Sequence, residues 1–156
     1  MRPSRSGHQE GTMKIIQRLF RYETMTGAGQ CPTYMERWTI LAAFGCALYL
    51  HHFLGDDWSR DPHDHPRRFV SLGLKGWYFE DVFDSAGKLL GTRKYQAPWL
   101  RTFPANHIHR IRAKECGNAW TLVLVFPKAR GWGFIQDGKW IPFRDYVFGG
   151  KSRKDC

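Results

Sequence analysis

Two histidine pairs, His63-Asp64-His65 and His107-Ile108-His109, carry the densest chemistry in this 156-residue chain. Side chains at positions i and i+2 of a strand point to the same face, so each pair can direct two imidazoles into one cavity. Neutral imidazole is a common protein ligand for zinc, iron, copper and nickel, and burying four such groups without a metal or hydrogen bonds would be costly. The pattern therefore favours a pocket that binds a metal over two pairs of surface histidines.

The elements that would position these pairs are short strands. The 16 Gly and 8 Pro are spread between short apolar runs, which favours many tight turns and disfavours long helices. Asp137-Gly138, between two such runs, is a strong hairpin signal. Strands are predicted over residues 34–41, 47–54, 69–74, 77–83, 93–97, 100–103, 107–112, 119–126, 132–136 and 139–143. Strands at this spacing are typical of a sandwich or barrel.

The chain has the length of one domain, with a core-forming region expected over residues 31–150. Residues 1–30 are predicted to be a basic tail with a short amphipathic helix over 13–22, where apolar residues recur at helical spacing. Residues 151–156 are predicted to be a basic C-terminal tail. Much of the net charge of +10 lies in these two ends, which is typical of solvated tails, so nucleic acid is an unlikely partner.

The four cysteines show neither C-x-x-C spacing nor the density of a disulfide framework, which predicts free thiols in a reducing compartment. The apolar run over 39–50 is too short to span a membrane. The first residues are polar and basic, without the apolar core of a secretory signal. We therefore expect a cytoplasmic protein with no membrane segment.

The motifs around the histidines resemble those of the cupin family. His63-Asp64-His65-Pro66, followed by Phe69 and Gly76, is similar to the first cupin motif, in which H-x-H precedes an acidic residue and a closing Gly. The segment from Pro104 to His109 is similar to the second motif, with His109 at the ligand position. The resemblance covers about residues 34–146 and extends to small single-domain (RmlC-like) cupins of bacteria and phages. Its most specific parts are the His-Asp-His-Pro block and Trp132-Gly133-Phe134.

The resemblance implies an all-β fold, the double-stranded β-helix or jelly-roll barrel, with a divalent transition metal held inside by His63, His65 and His109. Iron(II) is favoured, while zinc and nickel also suit three imidazoles. Most metal cupins have a glutamate where this chain has Phe69, which cannot ligate. Three neutral ligands would leave the metal open to water or to an anionic small molecule.

Strand parity selects further candidates for the pocket. Leu72, Leu74, Gly76, Tyr78 and Glu80 share a face if the strands are regular, with both leucines expected in the core. Tyr78 and Glu80 are the candidate catalytic residues. Glu80 could be a general base, a distant fourth ligand, or a residue in a salt bridge at the barrel rim.

The same parity relates His107 to His109 and Arg101. His107 could be a pocket residue, an alternative third ligand, or a neighbour on the barrel wall. Arg101 is the arginine expected to point inward, where a guanidinium could recognise a carboxylate or phosphate. One of His51 and His52 is expected to be a hydrogen-bonded core histidine. Four acidic residues are expected to be solvated loop carboxylates: Asp56, Asp57, Asp61 and Asp64.

Two functional classes fit these residues. The first is an enzyme, an iron-dependent oxygenase-type or isomerase-like cupin that acts on a small acidic molecule. The second is a non-catalytic cupin that binds or senses a small ligand, and a weaker third is an accessory factor that binds a host protein. A homodimer is expected in either of the first two cases.

Overall fold

The computed structural model describes residues 16–26, 32–57, 59, 61–114 and 118–149. Of the N-terminal segment predicted over 1–30, residues 1–15 and 27–30 lie outside these residues, as does the whole C-terminal tail predicted over 151–156. Within them the chain forms eleven strands and one short helix: β1 (Ile16–Thr26), β2 (Thr33–Ala43), β3 (Cys46–Phe53), β4 (Phe69–Lys75), β5 (Trp77–Phe83), β6 (Leu89–Gln96), β7 (Trp99–Phe103), β8 (His109–Arg112), β9 (Ala119–Val125), β10 (Gly133–Gln136), β11 (Lys139–Pro142) and α1 (Phe143–Phe148). The all-β prediction is confirmed.

The strands form two layers and a hairpin. The larger sheet has the order β1-β2-β3-β9-β4-β7, and the smaller sheet has the order β6-β5-β8. The hairpin β10-β11 is joined to the smaller sheet through His63, which forms isolated antiparallel bridges with His109 and with Phe134. His63 therefore lies where the smaller sheet meets the hairpin.

Two tight turns show why the strands begin and end where the sequence predicts. Phe44 and Gly45 join β2 to β3 with φ of 52° and 75°, and Asp137 and Gly138 join β10 to β11 with φ of 51° and 76°. Left-handed backbone at both central residues matches the right-handed twist of the flanking strands. The bounds of β5 are those predicted, and the bounds of the other nine predicted strands differ from the observed ones by at most four residues.

The N-terminal helix predicted over residues 13–22 is wrong. Residues 16–22 belong to β1, which pairs antiparallel with β2, while residues 13–15 lie outside the described residues. Cross-strand contacts hold β1 in place: Arg37 Nη2 lies 2.6 Å from Glu23 Oε2, and the rings of Tyr22 and Trp38 are 5.2 Å apart. An isolated helix of this length is marginal in water, so the unpaired edge of β2 determines the structure.

The parity prediction is wrong in β4 and right in β5. In β4 the buried residues are Ser71 and Gly73, whereas Leu74 is 48% exposed. A turn at Gly76, with φ of 73°, intervenes and changes the parity, so that Tyr78 and Glu80 point inward. Counting alternate residues therefore fails across the turn.

The apolar run over 39–50 forms parts of β2 and β3. Among the described residues no helix has the length and apolar character needed to cross a membrane. Cys46 is a free thiol, and the other three cysteines lie outside the described residues.

Candidate metal centre

The structure brings three histidines together at the junction of the smaller sheet and the β10-β11 hairpin. His63, His65 and His109 each offer one ring nitrogen, and these nitrogens all lie within 4.8 Å of one another. The Nε2 atoms of His65 and His109 are 2.7 Å apart. This is the set that the sequence predicts as metal ligands.

Backbone hydrogen bonds fix the positions of these histidines. His63 and His109 exchange two backbone hydrogen bonds of 3.0 Å, and the His65 amide donates to the Ala105 carbonyl at 3.0 Å. The ligand segment is therefore paired like a strand, although it lies between regular elements. Side chains held in this way lose little freedom when they bind an ion.

Asp64, between the first two histidines, points the opposite way and is buried. Its Oδ1 accepts a hydrogen bond from the Gly133 amide (2.8 Å), while Oδ2 accepts one from Trp140 Nε1 (3.1 Å) and pairs with Arg130 Nη1 (2.7 Å). Asp64 thus fastens the ligand segment to the β10-β11 hairpin. Alternation explains this contact, since a residue between two inward histidines must face the other side.

The prediction of solvated loop carboxylates is wrong for Asp57, which lines an internal cavity and accepts a hydrogen bond from a backbone amide, and for Asp61 as well as for Asp64. Asp61 is buried and accepts a hydrogen bond from the Tyr146 hydroxyl of α1 at 2.8 Å. Asp56 is exposed, and its Oδ1 accepts hydrogen bonds from the backbone amides of Ala113 and Lys114. Composition indicated a loop correctly, but it could not show that other segments cover that loop.

The three-histidine set is electrically suited to a cation. Burial, followed by the charge on neighbouring imidazoles, lowers the pKa of His63 to about 3 and that of His65 well below its usual range. Both rings are therefore neutral near pH 7 and keep a lone pair for coordination. Among the described residues, the buried Nδ1 of His63 has no hydrogen-bond partner. A set of neutral nitrogen donors with an unsatisfied member fits a first-row transition metal.

Glu80 lies behind His109 and is fully buried. Its Oε1 accepts hydrogen bonds from His109 Nδ1 (2.7 Å) and His107 Nε2 (2.9 Å), and its Oε2 accepts one from Arg101 Nη1 (2.7 Å). Burial alone would raise the pKa of Glu80, but these hydrogen bonds and positive charges lower it below its usual range. An ionised carboxylate can only accept, so His109 donates its Nδ1 proton to Glu80 and directs Nε2 toward His65.

The sequence-predicted pocket residues divide into two groups. Tyr78 and Phe69 line a cavity of about 370 Å³ together with the three histidines. Glu80, His107 and Arg101 point inward, but they do not belong to the described residues that line it. Glu80 is not at the rim, and the guanidinium of Arg101 binds Glu80 instead of facing the cavity.

Phe69 occupies the wall beside the ligands. Its ring centroid lies 4.9 Å from that of His65, and the ring stacks on Phe103 at 4.5 Å. The residue at the position where most metal cupins have a glutamate is thus an aromatic wall residue. This leaves an apolar surface where a fourth ligand would otherwise stand.

Sequence reasoning did not place several polar residues in the cavity lining, among them Asp57, Thr121 and Ser71. Asp57 Oδ2 accepts a hydrogen bond from the Ile111 amide at 2.7 Å and lies 3.9 Å from His63 Nδ1, and burial raises the pKa of Asp57 to about 6. Its loop composition carried no signal of this position. One of His51 and His52 was expected to be a hydrogen-bonded core histidine; His51 is the one that lines the cavity, but its Nε2 has no partner among the described residues.

Comparison with solved structures identifies the fold. The chain matches Fe(II)-bound HppE with 15% identity and a TM-score of 0.53, over 74% of this chain and 62% of that chain. It also matches a cupin-2 domain from Rhodospirillum rubrum with 13% identity and a TM-score of 0.51, over 83% and 80% of the two chains. The chain thus spans about three fifths of the length of the HppE chains. The predicted cupin jelly-roll fold is confirmed.

No protein-family model matches this sequence, and no curated protein sequence matches it at a significant level. At these low identities the likeness concerns the fold alone. Any activity must therefore be argued from the site itself.

Proposed function

We propose that this protein is a metal-dependent enzyme of the small RmlC-like cupin type. One divalent transition metal, with iron(II) favoured, is bound by His63, His65 and His109, and the reaction is oxygenase-type or isomerase-like on a small acidic molecule. The observation that carries this proposal is the convergence of three imidazoles, one buried and two half-buried, on a cavity of about 370 Å³, with the pKa values of His63 and His65 strongly lowered.

The preference for an acidic molecule follows from charge. The three ligands are neutral imidazoles and Phe69 adds no carboxylate, so no ligand offsets the charge of a divalent metal. A bound metal would act as a Lewis acid on a group that reaches an open position. An anionic group of the substrate is the natural partner for such a position.

The residues around the ligands have distinct roles in this proposal. Glu80 is a positioning residue that holds the His109 ring and its tautomer, and His107 and Arg101 hold Glu80 in turn. Tyr78 lines the cavity, and burial raises the pKa of its hydroxyl, so Tyr78 stays protonated and can donate a hydrogen bond to substrate. Asp57 is the carboxylate that faces the cavity and can accept a proton near neutral pH.

The test is the metal content of protein made without a histidine tag. After reconstitution with iron, zinc or nickel and removal of loose metal, elemental analysis should give roughly one ion per chain. Metal at background level with all three would contradict the proposal.

The alternative is a non-catalytic cupin that binds or senses a small ligand. It is favoured by the state of Glu80, whose two oxygens already accept three hydrogen bonds and are unavailable as a base. Oxygen uptake or product formation by the iron(II)-loaded protein with a panel of small carboxylates and thiols separates the two functions. Saturable binding of a panel member without uptake or product would favour the sensor.

We also propose a cytoplasmic homodimer that forms through the outer face of the larger sheet. Exposed leucines stand on that face: Leu41 in β2, Leu124 in β9 and Leu100 in β7. Apolar sheet faces of this kind are typical of interfaces between subunits. Light scattering should give a dimer for the wild type and a monomer for Leu100→Lys combined with Leu124→Lys; a wild-type monomer at micromolar concentration would contradict this.

A further inference from the structure

A second polar group lies in the same cavity, on the wall formed by the larger sheet. His51 in β3 and Thr121 in β9 are cross-strand partners, and both line the cavity. Their side-chain polar atoms, His51 Nε2 and Thr121 Oγ1, are buried and have no hydrogen-bond partner among the described residues. Thr121 is only 2% exposed.

This pair is unusual for its surroundings. Buried polar groups in native proteins are almost always hydrogen-bonded, so two adjacent ones without partners need an explanation. On the same face of these strands Phe53 in β3 and Val123 in β9 are apolar and also line the cavity, as does Tyr49 in β3. His51 and Thr121 therefore add to this wall an imidazole and a hydroxyl that no described residue satisfies.

The positive charge beside this wall, on Arg37, is paired with an acidic side chain. Three neutral histidines would not balance the charge of a bound metal in this way. Arg37 is the cross-strand partner of His51 in β2, and its Nε and Nη2 donate to Glu23 Oε2 at 3.2 and 2.6 Å. Burial, followed by the charge of Arg37, lowers the pKa of His51 to about 3, so the ring is neutral. A neutral imidazole and a hydroxyl recognise an uncharged polar group.

We propose that His51 and Thr121 form a subsite that hydrogen-bonds an uncharged hydroxyl or carbonyl group of the small molecule whose acidic end is directed to His63, His65 and His109. This inference rests on the proposed metal site and adds the chemistry of the far end of the substrate. The substrate class is then a short aliphatic acid with a second, neutral oxygen function.

The size and lining of the cavity agree with this class. A volume of about 370 Å³ is at the small end of ligand pockets. Much of the remaining lining is apolar, including Met35, Ile111 and Val125, while Ser71 adds a hydroxyl. A short carbon chain fits such a lining better than a second charged group does.

The experiment compares pairs of acids that differ only in a terminal hydroxyl. The zinc-loaded protein is titrated calorimetrically with butanoate and 4-hydroxybutanoate, then with pentanoate and 5-hydroxypentanoate. In at least one pair the hydroxylated acid should bind wild type about five- to tenfold more tightly, the effect of a satisfied buried hydrogen bond. This ratio should fall to near one in Thr121→Val and in His51→Leu.

Two variants serve as matched controls. Thr39→Val removes a buried hydroxyl from the same sheet at a residue that does not line the cavity, and it should keep the ratio. His52→Leu alters the neighbour of His51 that faces outward and hydrogen-bonds Glu36, and it should also keep the ratio. Thr121→Val is nearly isosteric, so it tests the proposal even if His51→Leu fails to fold. Zinc affinity should be the same in all four variants.

The outcomes separate this inference from the proposed function. Zinc binding with equal affinity within both pairs, or a ratio that survives in Thr121→Val, would overturn the subsite and leave the metal site standing. Absence of zinc binding would overturn the proposed function. The same acids would then be followed on metal-free protein through the ring nitrogen shifts of His51. A hydroxyl-dependent shift that Thr121→Val abolishes supports the subsite, and no such shift, or a bound water that neither hydroxy acid displaces, overturns it.

Discussion

Two clusters of metal-ligating side chains share His109 and differ in what their donor atoms already bind. One cluster is His63, His65 and His109, and the other is Glu80, His107 and His109; in each, the possible ligand atoms lie within 4.8 Å of one another. In the second cluster both oxygens of Glu80 already accept hydrogen bonds, from the Arg101 guanidinium and from the rings of His107 and His109. In the first, His63 Nδ1 has no partner among the described residues.

The difference shows that spacing alone does not identify a metal site. A carboxylate that already accepts three hydrogen bonds gains little from an ion that must displace them. The same carboxylate prepares the other cluster, because it fixes the proton of His109 on the side away from the cavity. His109 thus belongs to both clusters, with its Nδ1 bonded to Glu80 and its Nε2 facing His65 Nε2 at 2.7 Å.

The largest effect should come from the ligands themselves. His63→Ala, His65→Ala and His109→Ala should each weaken metal binding by at least about 100-fold, since two remaining imidazoles compete poorly with water. His107→Ala should retain most of the affinity, because His107 bonds Glu80 and does not line the cavity. Competition titration with a chromophoric chelator measures both. If His107→Ala empties the site while His109→Ala does not, the metal belongs to the second cluster.

A smaller loss is expected from Glu80→Gln, which keeps the shape of the side chain but removes its charge. Weaker orientation of His109 should reduce metal affinity by about 10- to 100-fold. Asp81→Asn is the matched control, since Asp81 is adjacent in β5 and pairs with Arg110 and Arg112. The control should lose stability without losing metal affinity, and equal affinity losses in the two variants would refute the positioning role of Glu80.

The two clusters should also respond differently to acid. A histidine whose folded pKa is lowered stabilises the fold fully above its unfolded pKa of about 6.5, and the stabilisation is lost as the pH falls toward the folded pKa. For His63, with a pKa of about 3, this loss amounts to about 1.4 kcal/mol per pH unit below pH 6.5. The pKa of Glu80 is lowered from 4.5, so its stabilisation is lost only below that pH.

Urea unfolding of the metal-free protein at pH 7, 6 and 5 tests this contrast. In His63→Leu the free energy of unfolding should fall less steeply from pH 7 to pH 5 than in wild type, and the difference in slope should correspond to about one proton. Glu80→Gln should leave the slope unchanged. Burial raises the pKa of Asp57 to about 6, which adds a slope of opposite sign, but it does so in all three proteins. An unchanged slope in folded His63→Leu would mean that His63 is not buried as a neutral ring.

The sequence predicts the strands well because their signals are local. Alternating apolar residues and left-handed turns, such as Asp137-Gly138, act within a few residues of one another, and the ladder of β10 and β11 follows from them. The wrong prediction of a helix where the structure has β1 shows the limit of such signals. Whether residues 16–26 pair with β2 depends on a partner strand that local periodicity does not contain.

In the candidate site, too, some residues follow from local sequence signals and others are brought together only by the fold. The i, i+2 spacing places His63 with His65, and the motif resemblance adds His109. Parity indicated that Glu80 points inward, but only the fold shows that Arg101 and His107 meet it. The subsite residues His51 and Thr121 are far apart in sequence, and their pairing appears only when β3 lies beside β9.

The smallest expected effect comes from Phe69, where a substitution by glutamate would add a carboxylate beside the three-histidine cluster. Phe69 lines the cavity beside His65, so a carboxylate there could reach the metal. Phe69→Glu should tighten zinc binding by about tenfold, because an anionic oxygen offsets the charge that three imidazoles leave. It should also weaken the binding of butanoate to the zinc-loaded protein, since the position is then filled.

The opposing cost is structural, because Phe69 stacks on Phe103 and a buried carboxylate destabilises the metal-free fold by a few kcal/mol. Phe69→Gln, which has nearly the same shape as the glutamate variant without its charge, is therefore the control, and both are compared with wild type at the same folded fraction. Calorimetric titration with zinc and then with butanoate measures both effects. If zinc affinity is unchanged in a folded Phe69→Glu protein, Phe69 does not face the metal, and the preference for an acidic ligand at an open position loses its basis.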